Sequence, residues 1–256
     1  MKWKGAELIE LNKIYNEDCL EGMKRIPDGS VDMILCDLPY GTTQNKWDVI
    51  IPFDKLWGQY ERIIKDNGAI VLTGQQPFSS KLIMSNFKLF RYEWIWEKTQ
   101  GTGFLNAKRI PLKNHENILV FYKNLPVYNP QFEAGVAYKA TSSIHSNNYG
   151  AQKESVTTIN DGFRYPLTTI HKFNYDTETF HETQKPVPLF EYLIKTYTNK
   201  GDTVLDNCMG SGTTAIACIN TERNFIGFET NEEYYNKSLQ RIKNNVTQLD
   251  LFEVEG

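Results

Sequence analysis

The sequence predicts an α/β fold: a twisted, largely parallel sheet with helices on both faces. Short apolar segments rich in β-branched residues, such as 31–36 and 203–205, have the length of buried strands. They alternate with longer segments whose apolar residues recur at helical spacing, as in 52–67. A chain of 256 residues is long enough for one such domain with a smaller inserted region.

The first half of the chain shows this alternation clearly. Residues 13–16 predict a short strand, and Asp18 stands where the following helix would begin. The strand at 31–36 follows a turn, and the helix at 52–67 would end with Gly68 as its C-terminal cap. The pattern then predicts a helix at 78–87 and strands at 69–72, 90–96 and 118–122.

The regular pattern fades between about residues 126 and 180 and returns afterwards. The irregular segment mixes aromatic residues with Asn, Thr and Ser and with scattered Lys and Arg. This composition fits either an insertion with its own small core or a region that recognises nucleic acid, and it leaves both open. The remaining segments predict helices at 189–196, 213–219 and 232–244 and strands at 203–205 and 225–228.

The tetrapeptide Asp37-Leu38-Pro39-Tyr40 follows the strand at 31–36. Pro39 cannot donate a ladder hydrogen bond, so a carboxylate and an aromatic ring are presented at a carboxyl strand end, where α/β sheets bind ligands. The Asp37 carboxylate and the Leu38 carbonyl could accept both N–H bonds of a base amino group and draw its lone pair out of conjugation. Tyr40 could then stack on a base flipped from the helix. An ordinary turn with an exposed ring is the alternative.

A second motif runs from the strand at 203–205 through a glycine turn into a helix. Asp206 precedes Gly210 and Gly212, and Glu229 ends the next strand. The spacing also satisfies the dinucleotide fingerprint, so an NAD-type oxidoreductase is the rival class. Too few residues follow Glu229 for the rest of a dinucleotide-binding domain, and the missing strands lie upstream. Asp206 could hold a cationic amino group, which favours S-adenosylmethionine.

Composition and charge set further bounds. The net charge is −3, yet residues 81–123 contain eight Lys or Arg against three Glu, a local basic face compatible with nucleic acid. No apolar run of membrane-spanning length and no signal-peptide pattern is present, so a cytoplasmic protein without membrane contact is expected. The four cysteines form no C-x-x-C pair and the four histidines no metal spacing, so no metal is predicted.

Four blocks in this order resemble the β-group of amino-directed DNA methyltransferases. They are the tetrapeptide at 37–40, the segments 115–121 and 183–186, and the glycine motif at 204–214 with 225–229 after it. Leu38 stands where the family has proline, and Asn207-Cys208 where it usually has Pro-Phe. The resemblance implies a Rossmann-like S-adenosylmethionine-dependent methyltransferase fold in permuted order. It divides the chain into a catalytic half (1–125), a target-recognition insertion (126–180) and a cofactor-binding half (181–256).

The resemblance also implies roles for individual residues. The tetrapeptide would contain the catalytic residues, and the glycine turn would bind S-adenosylmethionine. Asp18 would contact the adenine of the cofactor, Lys185 its methionine carboxylate, and Glu229 its ribose hydroxyls. The expected catalytic residues are Asp37, Leu38, Pro39 and Tyr40, and the expected cofactor-binding residues are Asp18, Lys185, Asp206, Cys208, Gly210, Ser211, Gly212, Thr213 and Glu229.

The expected reaction is methylation of the 6-amino group of adenine in a short sequence of double-stranded DNA, as in restriction–modification systems. Aspartate at position 37 favours adenine, because relatives that act on the 4-amino group of cytosine more often have serine there. Cytosine methylation and a DNA-binding module with a decayed active site remain alternatives. Relatives often form homodimers, and the sequence leaves that assembly open.

Overall fold

The computed structural model describes residues 9–45, 48–141, 155–171, 173 and 184–254. Helices and strands alternate along the first and last parts of the described chain, and short strands occupy its middle. The helices are α1 (Cys19–Gly22), α2 (Phe53–Ile63), α3 (Phe78–Ser85), α4 (Val187–Tyr197), α5 (Thr213–Asn220) and α6 (Glu232–Val254). The strands are β1 (Lys13–Tyr15), β2 (Val31–Cys36), β3 (Ile64–Gly74), β4 (Phe90–Thr102), β5 (Lys113–Phe121), β6 (Glu133–Ala134), β7 (Tyr138–Thr141), β8 (Thr157–Asn160), β9 (Phe163–Arg164), β10 (Thr169–Ile170), β11 (Thr203–Asp206) and β12 (Asn224–Phe228).

The main sheet has eight strands in the order β1-β12-β11-β2-β3-β5-β4-β10. All neighbours pair in parallel except β5, which runs antiparallel to both β3 and β4. The last two strands of the chain, β11 and β12, therefore lie between β1 and β2 rather than at an edge. This order confirms the predicted permuted, doubly wound sheet, because the two halves of the sequence interleave in one layer.

Two apolar layers cover the two faces of this sheet. On one face α1, α2 and α3 pack through residues such as Cys19, Tyr60 and Phe78. On the other face α4 and α5 pack through residues such as Leu193 and Ala217, and α6 adds partly buried side chains. Strand β2 contributes residues to both layers, which explains why its sequence is continuously apolar from Met33 to Cys36 rather than alternating.

The helix predicted over 52–67 is wrong at its C-terminal end. Helix α2 ends at Ile63, and Ile64 pairs with Val31 as the first residue of β3. Gly68 is not a helix cap but lies in this strand, beside an irregularity in its pairing with β2. A Cβ atom at Gly68 would lie 2.8 Å from the Asp32 carbonyl oxygen, so glycine is required by the close approach of the neighbouring backbone.

Two compact units divide the chain, one formed by 1–129 with 168–256 and the other by 130–167. In the smaller unit β6 pairs with β9 and β7 with β8, both antiparallel. Phe132 contacts Phe163 and Tyr165, and the guanidinium of Arg164 lies 4.7 Å from the centre of the Tyr138 ring. The predicted boundaries 126–180 stay a prediction, and residues 142–154, 172 and 174–180 of that region lie outside the described residues.

None of the helices that the structure describes has both the length and the apolar composition needed to cross a membrane.

Candidate active site

The carboxyl ends of β2, β11 and β12 bring three carboxylates to one edge of the sheet. Val204 pairs with Met33 and Leu205 with Ile34, so Asp206 and Asp37 leave adjacent strands at nearly the same level. Glu229 directly follows β12, the next strand along. A cleft of about 800 Å³ opens at this edge. All the predicted site residues line this cleft except Gly212.

Asp37 is held by three side chains from separate segments. Tyr40 Oη donates to its Oδ1 atom at 2.6 Å, Thr73 Oγ1 donates to the same oxygen, and Lys185 Nζ lies 2.5 Å from Oδ2. Burial raises the pKa of Asp37, but the Lys185 charge and hydrogen bond, with the two hydroxyls, outweigh burial and hold the pKa below its usual value. Asp37 is therefore a fixed carboxylate in its charged, hydrogen-bond-accepting form.

A buried chain of charges continues from Asp37 through Lys185 to Glu116. Lys185 Nζ lies 3.4 Å from Glu116 Oε2, and Lys98 forms an ion pair with Glu116 Oε1. Glu116 Oε2 is buried and accepts no hydrogen bond from the described residues. The sequence placed Glu116 in a family-like block without a role and missed Lys98 and Thr73. The pair lies diagonally across β4 and β5, because Glu116 pairs with Trp96, two residues before Lys98, and the predicted strands at 90–96 and 118–122 reach neither charge.

Tyr40 and Leu38 occupy different surroundings within the tetrapeptide. The Tyr40 ring stacks on Phe78 at 4.9 Å, and the Lys185 ammonium lies over the Tyr40 ring, 5.9 Å from its centre. The Leu38 side chain is buried in the layer formed with α1, α2 and α3. An apolar side chain thus suits position 38, where the family pattern has proline.

The glycine turn between β11 and α5 is shaped by two residues with positive φ. Gly210 has φ +49° and Gly212 φ +79°, a region that side chains other than glycine rarely adopt. The Gly210 amide donates to Glu229 Oε2 at 2.8 Å, and the Asn231 amide donates to Oε1 at 2.7 Å. Glu229 is thereby fixed at the rim, and burial raises its pKa. Gly212 shapes the turn, since a Cβ there would lie 3.1 Å from the Ser238 Cβ.

Arg241 of α6 anchors the hydroxyl residues of this turn. Its Nη1 atom donates to the Ser211 carbonyl at 3.1 Å and to Thr213 Oγ1 at 3.0 Å. Thr213 Oγ1 in turn donates to the Lys185 carbonyl at 3.2 Å, which joins the turn to the segment before α4. Arg241 was missed by the sequence because it lies in a polar helix far along the chain.

Asp206 is buried beneath the turn with both oxygens engaged. Its Oδ1 atom accepts the Cys208 amide at 3.0 Å, and Oδ2 accepts Thr214 Oγ1 at 2.5 Å. Burial raises the pKa of Asp206 to about 6, although these hydrogen bonds lower it. Because burial disfavours the charged form of Asp206, a cationic group of a ligand placed beside it would stabilise the carboxylate.

Asn207 and Cys208 fill the space where the family usually has Pro-Phe. Asn207 Oδ1 accepts the hydroxyl of Tyr60, while its Nδ2 lies 3.4 Å from Cys208 Sγ and 3.6 Å from Cys19 Sγ. The buried amide thus ties α2 and the start of α1 to the glycine turn.

Asp18 caps α1, as its sequence position predicts. Its Oδ1 atom accepts the amides of Leu20 at 2.8 Å and Glu21 at 3.2 Å, and the residue also lines the cleft. A contact with the adenine of a cofactor remains a prediction. Among the described residues, no three His, Cys, Asp or Glu are grouped as metal ligands, while His145, His181 and Thr183 lie outside them.

The family model of the N6/N4 DNA methylases matches residues 31–240, from the start of β2 into the first turns of α6. The chain belongs to the N6/N4 DNA methylase family. It is 31% identical to the type II methyltransferase M1.MboII of Moraxella bovis, covering 90% of this chain and 96% of that one. It is 27% identical to the DNA adenine methyltransferase YhdJ of Escherichia coli K12, covering 91% of this chain and 83% of that one.

Solved structures agree with this assignment. The crystal structure of the M1.HpyAVI–SAM complex superimposes with a TM-score of 0.61 at 26% identity, covering 90% of this methylase and 98% of that chain. The predicted Rossmann-like methyltransferase fold is therefore confirmed.

Proposed function

We propose that this methylase transfers a methyl group from S-adenosylmethionine to the 6-amino group of adenine in a short duplex DNA sequence. The observation that carries the proposal is the common cleft, into which Asp37 and the turn after Asp206 both open. A base flipped out of the duplex onto Asp37 would there meet a methyl donor held at the glycine turn. The similarity to the adenine methyltransferase YhdJ supports adenine as the base.

The polar groups at the glycine turn fit S-adenosylmethionine better than NAD. Asp206 and Glu229 place two carboxylates beside the turn, where a cationic amino group and ribose hydroxyls find acceptors. The Gly210 amide, which would cradle a pyrophosphate in a dinucleotide site, already donates to Glu229. A pyrophosphate would meet negative charge and lose this donor, so the NAD alternative has no support from the geometry.

Asp37 would act by orientation and charge. S-adenosylmethionine supplies, when bound, a methyl group on a positively charged sulfur. Asp37 and the Leu38 carbonyl would accept the two N–H bonds of the base amino group, so that its nitrogen lone pair points at the methyl carbon. The amino group would lose its proton only after it has accepted the methyl group, and Asp37 would be the adjacent acceptor for that proton.

In the free protein, Lys185 occupies the position beside Asp37 that a flipped base would take. Its ammonium lies on Asp37 Oδ2 and over the Tyr40 ring, where the amino group and plane of a flipped base would lie. Glu116 Oε2, 3.4 Å from Lys185 Nζ, is a second buried acceptor. We infer that Lys185 shifts from Asp37 to Glu116 when the base enters, so that no charge is left buried without a partner.

Cofactor affinity is expected to fall as the pH is lowered through about 6. In the free protein Asp206 has a pKa of about 6, and a cationic amino group would lower it by stabilising the carboxylate. Binding below that pH must release a proton, so affinity should drop by up to about tenfold per pH unit. Calorimetric titration in two buffers of different ionisation enthalpy measures both effects.

The Asp206→Asn variant is the control for this pH dependence. It should bind weakly and without the change near pH 6, because its amide does not titrate. An unchanged pH dependence in this variant would assign the titration elsewhere, and Glu229, whose pKa is also raised by burial, is the first alternative.

The base and its sequence context can be read from one experiment. The protein is expressed in a bacterial host without DNA methylation, and the genomic DNA is sequenced by a single-molecule method that detects modified bases. N6-methyladenine at one short recurring sequence is expected. Modified cytosine without modified adenine would change the assigned base from adenine to cytosine. If the DNA is unmodified although the protein is well folded and binds the cofactor, the decayed DNA-binding module is favoured.

The choice of sequence is proposed to lie in region 126–180. In its described part, the unit 130–167 has exposed aromatic residues such as Phe163 and Tyr165 beside Arg164, groups that stack on bases and contact phosphates. A homodimer also remains a proposal, which sedimentation of the purified protein would test.

A further inference from the structure

The hairpin joining β4 and β5 presents large apolar side chains to solvent. At its tip Phe104 is 76% exposed and Leu105 85% exposed. The tip is an ordered turn: Gly103 has φ +89°, Phe104–Asn106 forms a short 3-10 helix, and the Arg109 amide donates to the Asn106 carbonyl at 2.8 Å. Two apolar side chains are therefore held outward by local backbone hydrogen bonds, without burial to offset their exposure.

The position of the hairpin relates this tip to the catalytic cleft. Strand β5 runs antiparallel to β3, and Asn117 pairs with Gly74 at the carboxyl end of β3. Lys113 lies four residues beyond Asn117 and so stands roughly 13 Å past that sheet edge at the usual rise of a strand. Lys98, Gln100, Gly101 and Thr102 at the base of the hairpin line the cleft itself. The tip thus overhangs the rim of the cleft that contains Asp37.

The charge of the hairpin is uniformly positive. Lys98 is paired with Glu116, but residues 99–115 beyond that ion pair contain Lys108, Arg109 and Lys113 and no acidic residue, in a protein of net charge −3. Apolar side chains flanked by cations, at the rim of a site that takes a flipped base, complement a duplex with a gap in its stack. A base inside the cleft remains joined to its strand, so the duplex it left must lie against this rim.

We propose that Phe104 and Leu105 form a wedge that enters the base stack beside the target base and occupies the space it leaves, while Lys108 and Arg109 contact the flanking phosphates. The proposal rests on the proposed function, because it assumes that a base is flipped into the cleft. Beyond that function, the proposal identifies the residues that hold the duplex open. The wedge would stabilise the flipped state by replacing the stacking that the target base gives up.

The double variant F104A/L105A tests the wedge, with duplexes carrying the methylation site found by sequencing. On a matched duplex, kcat/KM should fall on the order of 10²-fold, because the flipped state loses its replacement for stacking. With 2-aminopurine in place of the target adenine, the fluorescence rise on binding should be lost. When the base opposite the target is abasic, flipping is easier, and most of the loss in kcat/KM should be restored.

The matched control is M84A/F87A. Met84 and Phe87 are comparably exposed, at 72% and 66%, but lie where α3 has returned towards the amino ends of the strands. This variant should behave as wild type on every duplex. Equal loss in both double variants, or a loss in F104A/L105A that the abasic duplex does not restore, would overturn the wedge. A changed sedimentation coefficient in F104A/L105A with unchanged fluorescence would instead assign the tip to a protein contact and overturn it as well.

The role of the two cations at the phosphates has a separate measurement. The variant K108A/R109A should weaken binding to specific and unrelated duplexes alike. The slope of log affinity against log salt concentration should decrease by about 2, because each cation that neutralises a phosphate accounts for roughly one unit of slope. An unchanged slope would overturn this part. If the wild-type protein methylates no duplex, the proposed function itself is refuted. If the wild-type protein methylates DNA and the hairpin variants behave as wild type, only the wedge is refuted.

Discussion

Replacing Asp37 by alanine is expected to lower the rate of methyl transfer by on the order of 10³-fold while leaving cofactor binding intact. The variant removes the acceptor for one N–H bond of the target amine and the negative charge beside the nitrogen as it becomes positive. Lys185 keeps Glu116 as a partner 3.4 Å away, so the substitution does not leave a buried ammonium without a counter-charge. Single-turnover methylation of a duplex with labelled S-adenosylmethionine measures the rate.

The conservative variant Asp37→Asn separates orientation from charge. Its amide oxygen still accepts one N–H bond, and a residual rate well above that of Asp37→Ala is expected. Calorimetric titration should show wild-type cofactor affinity for both variants, because Asp37 lies on the base side of the cleft. A methylation rate in Asp37→Ala equal to that of wild type would refute the assignment of the tetrapeptide.

The sequence predicted those parts of the site that local patterns encode. A strand that ends in Asp37 and Pro39, and another that ends in Asp206 and a glycine turn, can be recognised without knowing the fold. Their meeting at one edge follows from the rule that parallel strands share their carboxyl ends. The structure shows that edge directly, through the pairing of Leu205 with Ile34.

The parts that sequence reasoning missed depend on contacts between distant segments. Lys98 and Glu116 meet only through the register of β4 against β5, and Arg241 reaches the glycine turn only because α6 packs back along it. The end of α2 was wrong for a related reason. Ile64 continues the helical apolar spacing, yet its pairing with Val31 in the sheet overrides that local preference.

Replacing Lys185 by methionine is expected to move the pH dependence of methylation to higher pH and to lower the rate at neutral pH by on the order of 10²-fold. Burial raises the pKa of Asp37, and the Lys185 ammonium is the main group that reverses this effect. Wild-type Asp37 therefore stays ionised down to a pH below its usual pKa. Without the ammonium, burial dominates, and the folded pKa rises above the usual value.

Ionised Asp37 is the form that accepts the target N–H, so activity in Lys185→Met should be lost as the pH falls through the raised pKa. Measured as kcat/KM against pH, the acidic limb of the curve should move up relative to wild type, and raising the pH should restore part of the rate. Lys185→Arg keeps a positive charge and should retain the wild-type limb, although the larger guanidinium would slow its shift towards Glu116. A Lys185→Met curve that is uniformly lower but not displaced would mean that Lys185 acts on the cofactor, as the family resemblance suggested, and not through the charge of Asp37.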